Sequence, residues 1–217
     1  MIVKETDTVL DIPWSAAWAS ITFRTKFLLG SLLFTVLLLC FPYFFALIQK
    51  RQGIVLHDWL LYYLPSIDVS AYIFTLIYIT VLVGIYRAAQ SPLLFLLFLW
   101  SCLLLSLSRI VTISLVPLDP PIGLVQLVDP ILFPFYGRNE ITKDLFYSGH
   151  TGSVFLVYLI LQKKREKIFA LIATLVVGML LLLQHIHYMI DVLFAPLFVY
   201  IIFILAKRIT NVFPENS

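Results

Sequence analysis

Three residues in this 217-residue sequence have the types and spacing of a catalytic set: His150, His187 and Asp191. His187 and Asp191 stand four apart, so helical turns there would put them on one face, an arrangement in which a carboxylate orients an imidazole. His150 sits in the polar island Asp144-Leu-Phe-Tyr-Ser-Gly-His-Thr151, which opens an apolar run. In that island Gly149 lets the backbone come close to a ligand, and Ser148 and Thr151 can cap a helix. The free N–H groups of the first turn, with Asp144 and Tyr147 beside them, would then face a bound anion, phosphate being the usual one. Phosphoryl transfer through histidine needs few further parts. A neutral imidazole attacks phosphorus, a carboxylate fixes its tautomer, an acid protonates the leaving oxygen, and cations hold the non-bridging oxygens. His187 is assigned as nucleophile, Asp191 as its orienting partner, and His150 as general acid and later base. Arg109, with Lys143 or Arg138, is the expected phosphate clamp. His185 is expected to support the site or the fold. His57 and Asp58 are adjacent, would diverge on a helix, and receive no catalytic role.

The elements that must position these groups are apolar. The chain is 61% hydrophobic and 12% charged, outside the range of soluble domains. An all-α, multi-pass membrane protein is expected, with six spans near 27–48, 69–86, 92–116, 145–162, 168–185 and 190–206. The run 27–48 is too long for a signal-peptide core and reads as a retained first span. Residues 1–26, with Trp14, Trp18 and Ile21 at helical spacing, are expected at the membrane interface, as is an aromatic segment over 49–68. Residues 27–206 form the membrane domain and 207–217 the C-terminal tail. Between 117 and 143, Pro117, Pro120, Pro121, Pro130 and Pro134 rule out a continuous span, yet the segment is apolar. It is expected to lie along or dip into the membrane surface and cover the site. Cys40 and Cys102 fall inside apolar runs and are expected to be buried thiols. Neither a metal site nor a cofactor is called for, and no nucleic-acid or nucleotide-binding motif is present.

Six spans put both termini on one side. With that side cytoplasmic, Lys4, Arg24, Lys26, Arg87, Lys163, Lys164, Arg165, Lys167, Lys207 and Arg208 lie inside, against Lys50, Arg51, Arg138 and Lys143 outside. The positive-inside rule favours this orientation. Arg109, His150 and the His187–Asp191 pair then converge on the outer face. Twelve residues separate His150 from the inner loop, about 18 Å of helix against a hydrocarbon core of about 30 Å. That depth suits a lipid headgroup better than a soluble ester.

Asp144-Leu-Phe-Tyr-Ser-Gly-His-Thr151 and His187-Tyr-Met-Ile-Asp191, preceded by Arg109-Ile-Val-Thr112 and Pro117, resemble the sphingomyelin synthase branch of the type 2 phosphatidic acid phosphatase superfamily. The resemblance covers roughly 105–195. It implies a six-helix membrane core with His150, His187 and Asp191 as a triad facing the lumen or exterior. The sequence lacks the Arg-Pro pair of the general phosphatase pattern, carries Tyr147 before Ser148, and has Leu181 six residues before His187, all of which favour the synthase branch. Thr142-Lys143 stands where that branch usually has Cys-Gly. The expected activity is transfer of a phospho-headgroup from a glycerophospholipid to a lipid alcohol. Hydrolysis by the same triad is the alternative, and a non-catalytic lipid carrier or scramblase is the third reading. Membrane lipids are the expected partners, and a homo-oligomer is left open.

Overall fold

The computed structural model describes residues 12–129 and 141–211. Within them lie helices α1 Trp14–Ala19, α2 Ile21–Lys50, α3 Trp59–Tyr63, α4 Ser70–Ala89, α5 Pro92–Leu115, α6 Gly149–Ile160, α7 Lys164–Leu183 and α8 Met189–Thr210. Five of them, α2, α4, α5, α7 and α8, are long and apolar enough to cross a membrane. This is an integral membrane protein, all-helical among the described residues apart from one isolated bridge between Ile54 and Leu118.

The expected fourth span differs from expectation. Its helix starts at Gly149 rather than 145 and has 12 residues, about 18 Å at the usual rise. The chain before it cannot be helical, because Phe146 has φ 102°. A bulky residue there is strained by about 1–3 kcal/mol and persists only where its surroundings fix it. Here Arg109 does so, as described below. Although short, α6 is the centre of the bundle and packs against α4, α5, α7 and α8. Small residues permit the close approaches. A β-carbon at Gly152 would stand 3.1 Å from Val199, and one at Gly178 of α7 would stand 2.7 Å from Val192.

The outer helices depart from expectation at their ends. The first long helix begins at Ile21, capped by the Ser20 hydroxyl, which accepts from Phe23 N. The α1 segment folds back, with Trp14 Nε1 donating to Ala89 O (3.0 Å) at the α4–α5 turn. On the same face α2 leans on α5, where Trp100 Nε1 donates to Lys26 O (3.2 Å). Helix α7 starts at Lys164, four residues early, because Glu166 in its first turn pairs with Arg87 at the end of α4. The last helix runs to Thr210 rather than 206. Cys102 is half-buried, but Cys40 is exposed on α2, contrary to expectation. An apolar face can lie outward where lipid is the solvent.

Residues 117–129 contain no helix, in keeping with their prolines, and are fastened along the ends of the bundle. Ile54 N donates to Pro117 O (2.9 Å) and Asp119 N to Ile54 O (3.1 Å). Val125 N donates to Gln184 O (3.1 Å), Gln184 Nε2 to Gln126 O (2.9 Å), and Val128 N to Ser70 Oγ (3.3 Å). Pro130, Pro134 and Arg138 lie outside the described residues.

Candidate active site

The site is built where the α7–α8 junction meets the start of α6. Residues 184–188 form a tight non-helical passage, in which His185 adopts φ 54°. Its ring is held between two carbonyls, Nδ1 at 2.9 Å from Ile122 O and Nε2 at 3.3 Å from Leu64 O. His185 therefore ties the 64 and 122 loops to the junction rather than facing the other histidines. His187 precedes α8 instead of sitting on it. The expected pairing nevertheless forms, with His187 Nδ1 at 3.2 Å from Asp191 Oδ2 and both side chains buried. The i,i+4 contact arises because Asp191 occupies the third position of α8 and reaches back over its start, where Tyr188 N also donates to Oδ2 (3.2 Å).

A carboxylate on Nδ1 holds the neutral imidazole in the tautomer that leaves the lone pair on Nε2. His187 Nε2 is buried and has no hydrogen-bond partner among the described residues, and the same is true of His150 Nδ1. The two rings lie 6.3 Å apart, centroid to centroid, and are tilted by 59°. A reacting atom about 3–3.5 Å from its attacking partner fits a separation of that size. Buried polar atoms without partners are uncommon in native structures and cluster where a ligand supplies the missing bond. Thr151 Oγ1 and Asp191 Oδ1 are two more.

The His150 turn is locked from both sides. Ser148 Oγ accepts from Thr151 N (3.2 Å), the expected cap, while Ser148 N donates to Asp191 O (3.0 Å) and so fixes α6 against α8. Arg109, on α5, is buried. Its guanidinium donates to Tyr147 O and to the Asp144 carboxylate, and it lies over the Tyr147 ring, 5.1 Å from the centroid. Much of its donor capacity thus goes to holding the strained Asp144–Ser148 turn. Tyr147 is fully buried, and its hydroxyl meets Ser108. Lys143 stands in another network, forming an ion pair with Asp119 (2.7 Å) and donating to Arg51 O. The Lys143 ammonium holds the Asp119 carboxyl below the usual carboxylate range. The structure therefore brings together His150, His187, Asp191, Ser148, Gly149, Thr151 and Arg109, and Arg109 carries Asp144 and Tyr147 with it. Lys143 is committed to Asp119 and the Arg51 carbonyl.

Gly149 is required by the approach of Arg109, since a β-carbon there would lie 2.8 Å from Nε and 2.9 Å from Cζ. Gly149→Ala must push the guanidinium off the turn. A fall in kcat of at least about ten-fold, with a lower unfolding midpoint, is expected from kinetics and thermal scans run side by side. Wild-type kcat in this variant would separate the turn from the site.

Several groups here escaped sequence reasoning. Phe74 meets His150 edge to face (6.0 Å between centroids) and stacks on Tyr78 (5.9 Å), whose hydroxyl donates to Asp129 (2.7 Å). Gln184 is fully buried and bonds Ser70 Oγ (2.7 Å). An amide or carboxylate inside an otherwise apolar stretch was the available signal for Gln184 and Asp129. Among the described residues no group of three His, Cys, Asp or Glu is placed to hold a metal ion.

Residues 143–208 match the family model of the PAP2 superfamily C-terminal region. The match takes in the His150 turn, α6, α7, the junction and most of α8, less than a third of the chain. It supports placing this region in the PAP2 superfamily. No curated protein and no solved structure matches the chain.

Proposed function

We propose that the protein is a lipid phosphotransferase that moves a phospho-headgroup from a glycerophospholipid to a second lipid alcohol through a phosphohistidine on His187. The superfamily match supports phosphatase or phosphotransferase chemistry on lipids. The observation that carries the reading is the His187 ring, buried, held by Asp191 through Nδ1, and with Nε2 unpartnered among the described residues beside His150. Nε2 attacks phosphorus, the bond to the diacylglycerol oxygen breaks, and His150 supplies that oxygen with a proton. In the second half His150 takes the proton of the acceptor hydroxyl, the new P–O bond forms, and the P–N bond breaks. The backbone N–H groups at the start of α6 and what remains of the Arg109 donor set would hold the non-bridging oxygens. Arg138 is proposed as a further cation at the headgroup.

We place α6 as a sixth crossing, with both termini cytoplasmic and His150 about 12 Å below the outer boundary. Burial at that depth favours a lipid acceptor over water. Hydrolysis by the same residues is the second reading, favoured if the 117–129 segment admits water.

Product analysis in liposomes separates the two. The protein is given headgroup-labelled phosphatidylcholine or phosphatidylethanolamine, with and without ceramide, in the presence of a chelator. Labelled sphingolipid with diacylglycerol is expected, at a rate the chelator leaves unchanged. Free phosphocholine, phosphoethanolamine or inorganic phosphate would establish hydrolysis instead. No turnover of any lipid would overturn the enzymatic reading.

A further inference from the structure

The segment between α2 and α4 lies against the start of α8, and one side chain makes that contact polar. Asp58 caps α3, its Oδ1 accepting from Leu60 N (3.0 Å) and Leu61 N (3.4 Å). Its second oxygen does something unrelated to α3: Oδ2 accepts from Met189 N at 2.6 Å, across 131 positions of sequence. Met189 is the first residue of α8, between His187 and Asp191. The neighbouring contact reinforces the placement, since Tyr188 Oη accepts from Leu56 N (3.0 Å) and donates to Asp119 O (2.9 Å). Leu61, Leu118, Leu145 and Tyr188 pack beneath as one apolar cluster.

Two carboxylates thus share the N–H groups that open α8. Asp191 takes Tyr188 N, and Asp58 takes Met189 N. A helix start leaves its first N–H groups without partners inside the helix, and an acidic side chain in the first turn is the natural group to fold back on them. With Asp58 gone, the Met189 N–H would be open to Asp191, which already takes the adjacent Tyr188 N–H. Asp191 would then be drawn from His187 Nδ1 toward the backbone, and the imidazole would lose its fixed tautomer.

We infer that Asp58 is a positioning residue for the reaction, keeping the Asp191 carboxylate on His187 by satisfying the competing Met189 amide. This rests on the function proposed above. It touches no reacting atom and acts only through Asp191.

The test uses Asp58→Ser in the full-length protein in nanodiscs. Serine still caps α3, which separates loss of the cap from loss of the Met189 bond, because its side chain is too short to reach that amide. Asp58→Ser is expected to lower kcat by about ten-fold with KM within about two-fold, and in an Asp191→Asn background to change kcat by less than about two-fold. Hydrogen exchange across 188–192 is expected to quicken in Asp58→Ser. Wild-type kcat, or losses that multiply in the double variant, would overturn the proposal. If the wild-type protein turns over no lipid, the proposed reaction falls. Exchange across 188–192 then still decides the positioning claim, and unchanged protection would overturn it.

Discussion

His187→Gln is expected to lower turnover by at least about 10³-fold while leaving the protein folded, because it removes the nucleophile and little else. Glutamine approximates the imidazole in size, and its amide can still donate to Asp191 Oδ2. The carboxylate also keeps the Tyr188 N–H. Replacement by alanine would instead strip a buried carboxylate of its ring partner and risk the fold. Incubating wild-type protein with a headgroup-labelled donor and no acceptor should trap label on the chain in an acid-labile, base-stable bond, absent from His187→Gln. Asp191→Asn should retain the label but form it about 10²-fold more slowly, because the asparagine amide no longer enforces the Nδ1–H tautomer. Label that persists in His187→Gln would move the covalent step to another residue. No label in the wild type, with turnover intact, would mean direct displacement on phosphorus without a covalent intermediate.

Much of this site can be read from the chain, for a physical reason. Histidines, a carboxylate and an arginine are costly in an apolar run, so each one that stays there marks a local need. Gly149 and Ser148 are similarly explicit, since a cap and a close backbone approach require particular residue types. What the sequence conceals is the partner of each group. Arg109 reads as a phosphate clamp because a buried cation suggests an anion. In the structure its guanidinium turns largely to a main-chain carbonyl and a neighbouring carboxylate, and it steadies a strained Phe146. Lys143, beside the same motif, pairs with Asp119 across a loop instead. Adjacency to His57 speaks only to side chains on one helix, whereas the second oxygen of Asp58 works on a helix 131 positions away.

Helix ends depend on partners in the same way. Hydropathy places α7 at 168, but Lys164 through Lys167 continue the helix, steadied by the Arg87–Glu166 pair and by Lys167 Nζ donating to Tyr158 O (3.0 Å). It also extends the fourth span back to 145. Leu145 and Tyr147 are indeed buried, but as a turn wound around Arg109 rather than as helix. Apolarity reports exclusion from water, whether into the core or toward lipid, and is silent about backbone conformation.

The second large effect is expected at His150. His150→Ala should reduce turnover of a natural lipid donor by about 10²–10⁴-fold, the usual range for loss of a general acid. The two half-reactions then respond differently to the leaving group. Diacylglycerol leaves as an alkoxide unless protonated, so the first step stalls without His150. An aryl phosphodiester bearing the same headgroup releases a stabilised phenolate that needs no proton. With such a donor His150→Ala should recover the first step, giving a burst near one product per site, and then stop, because no base remains to activate the acceptor hydroxyl. Phosphohistidine at 187 should accumulate in this variant even with the acceptor present, where the wild type turns it over. Equal suppression of the burst with aryl and lipid donors would remove His150 from proton transfer. Its place beside His187 would then reflect binding of the phosphoryl oxygens. The geometry favours the acid–base role. The His150 ring has its Nδ1 buried without a partner among the described residues, Phe74 at right angles to it, and the His187 ring 6.3 Å away.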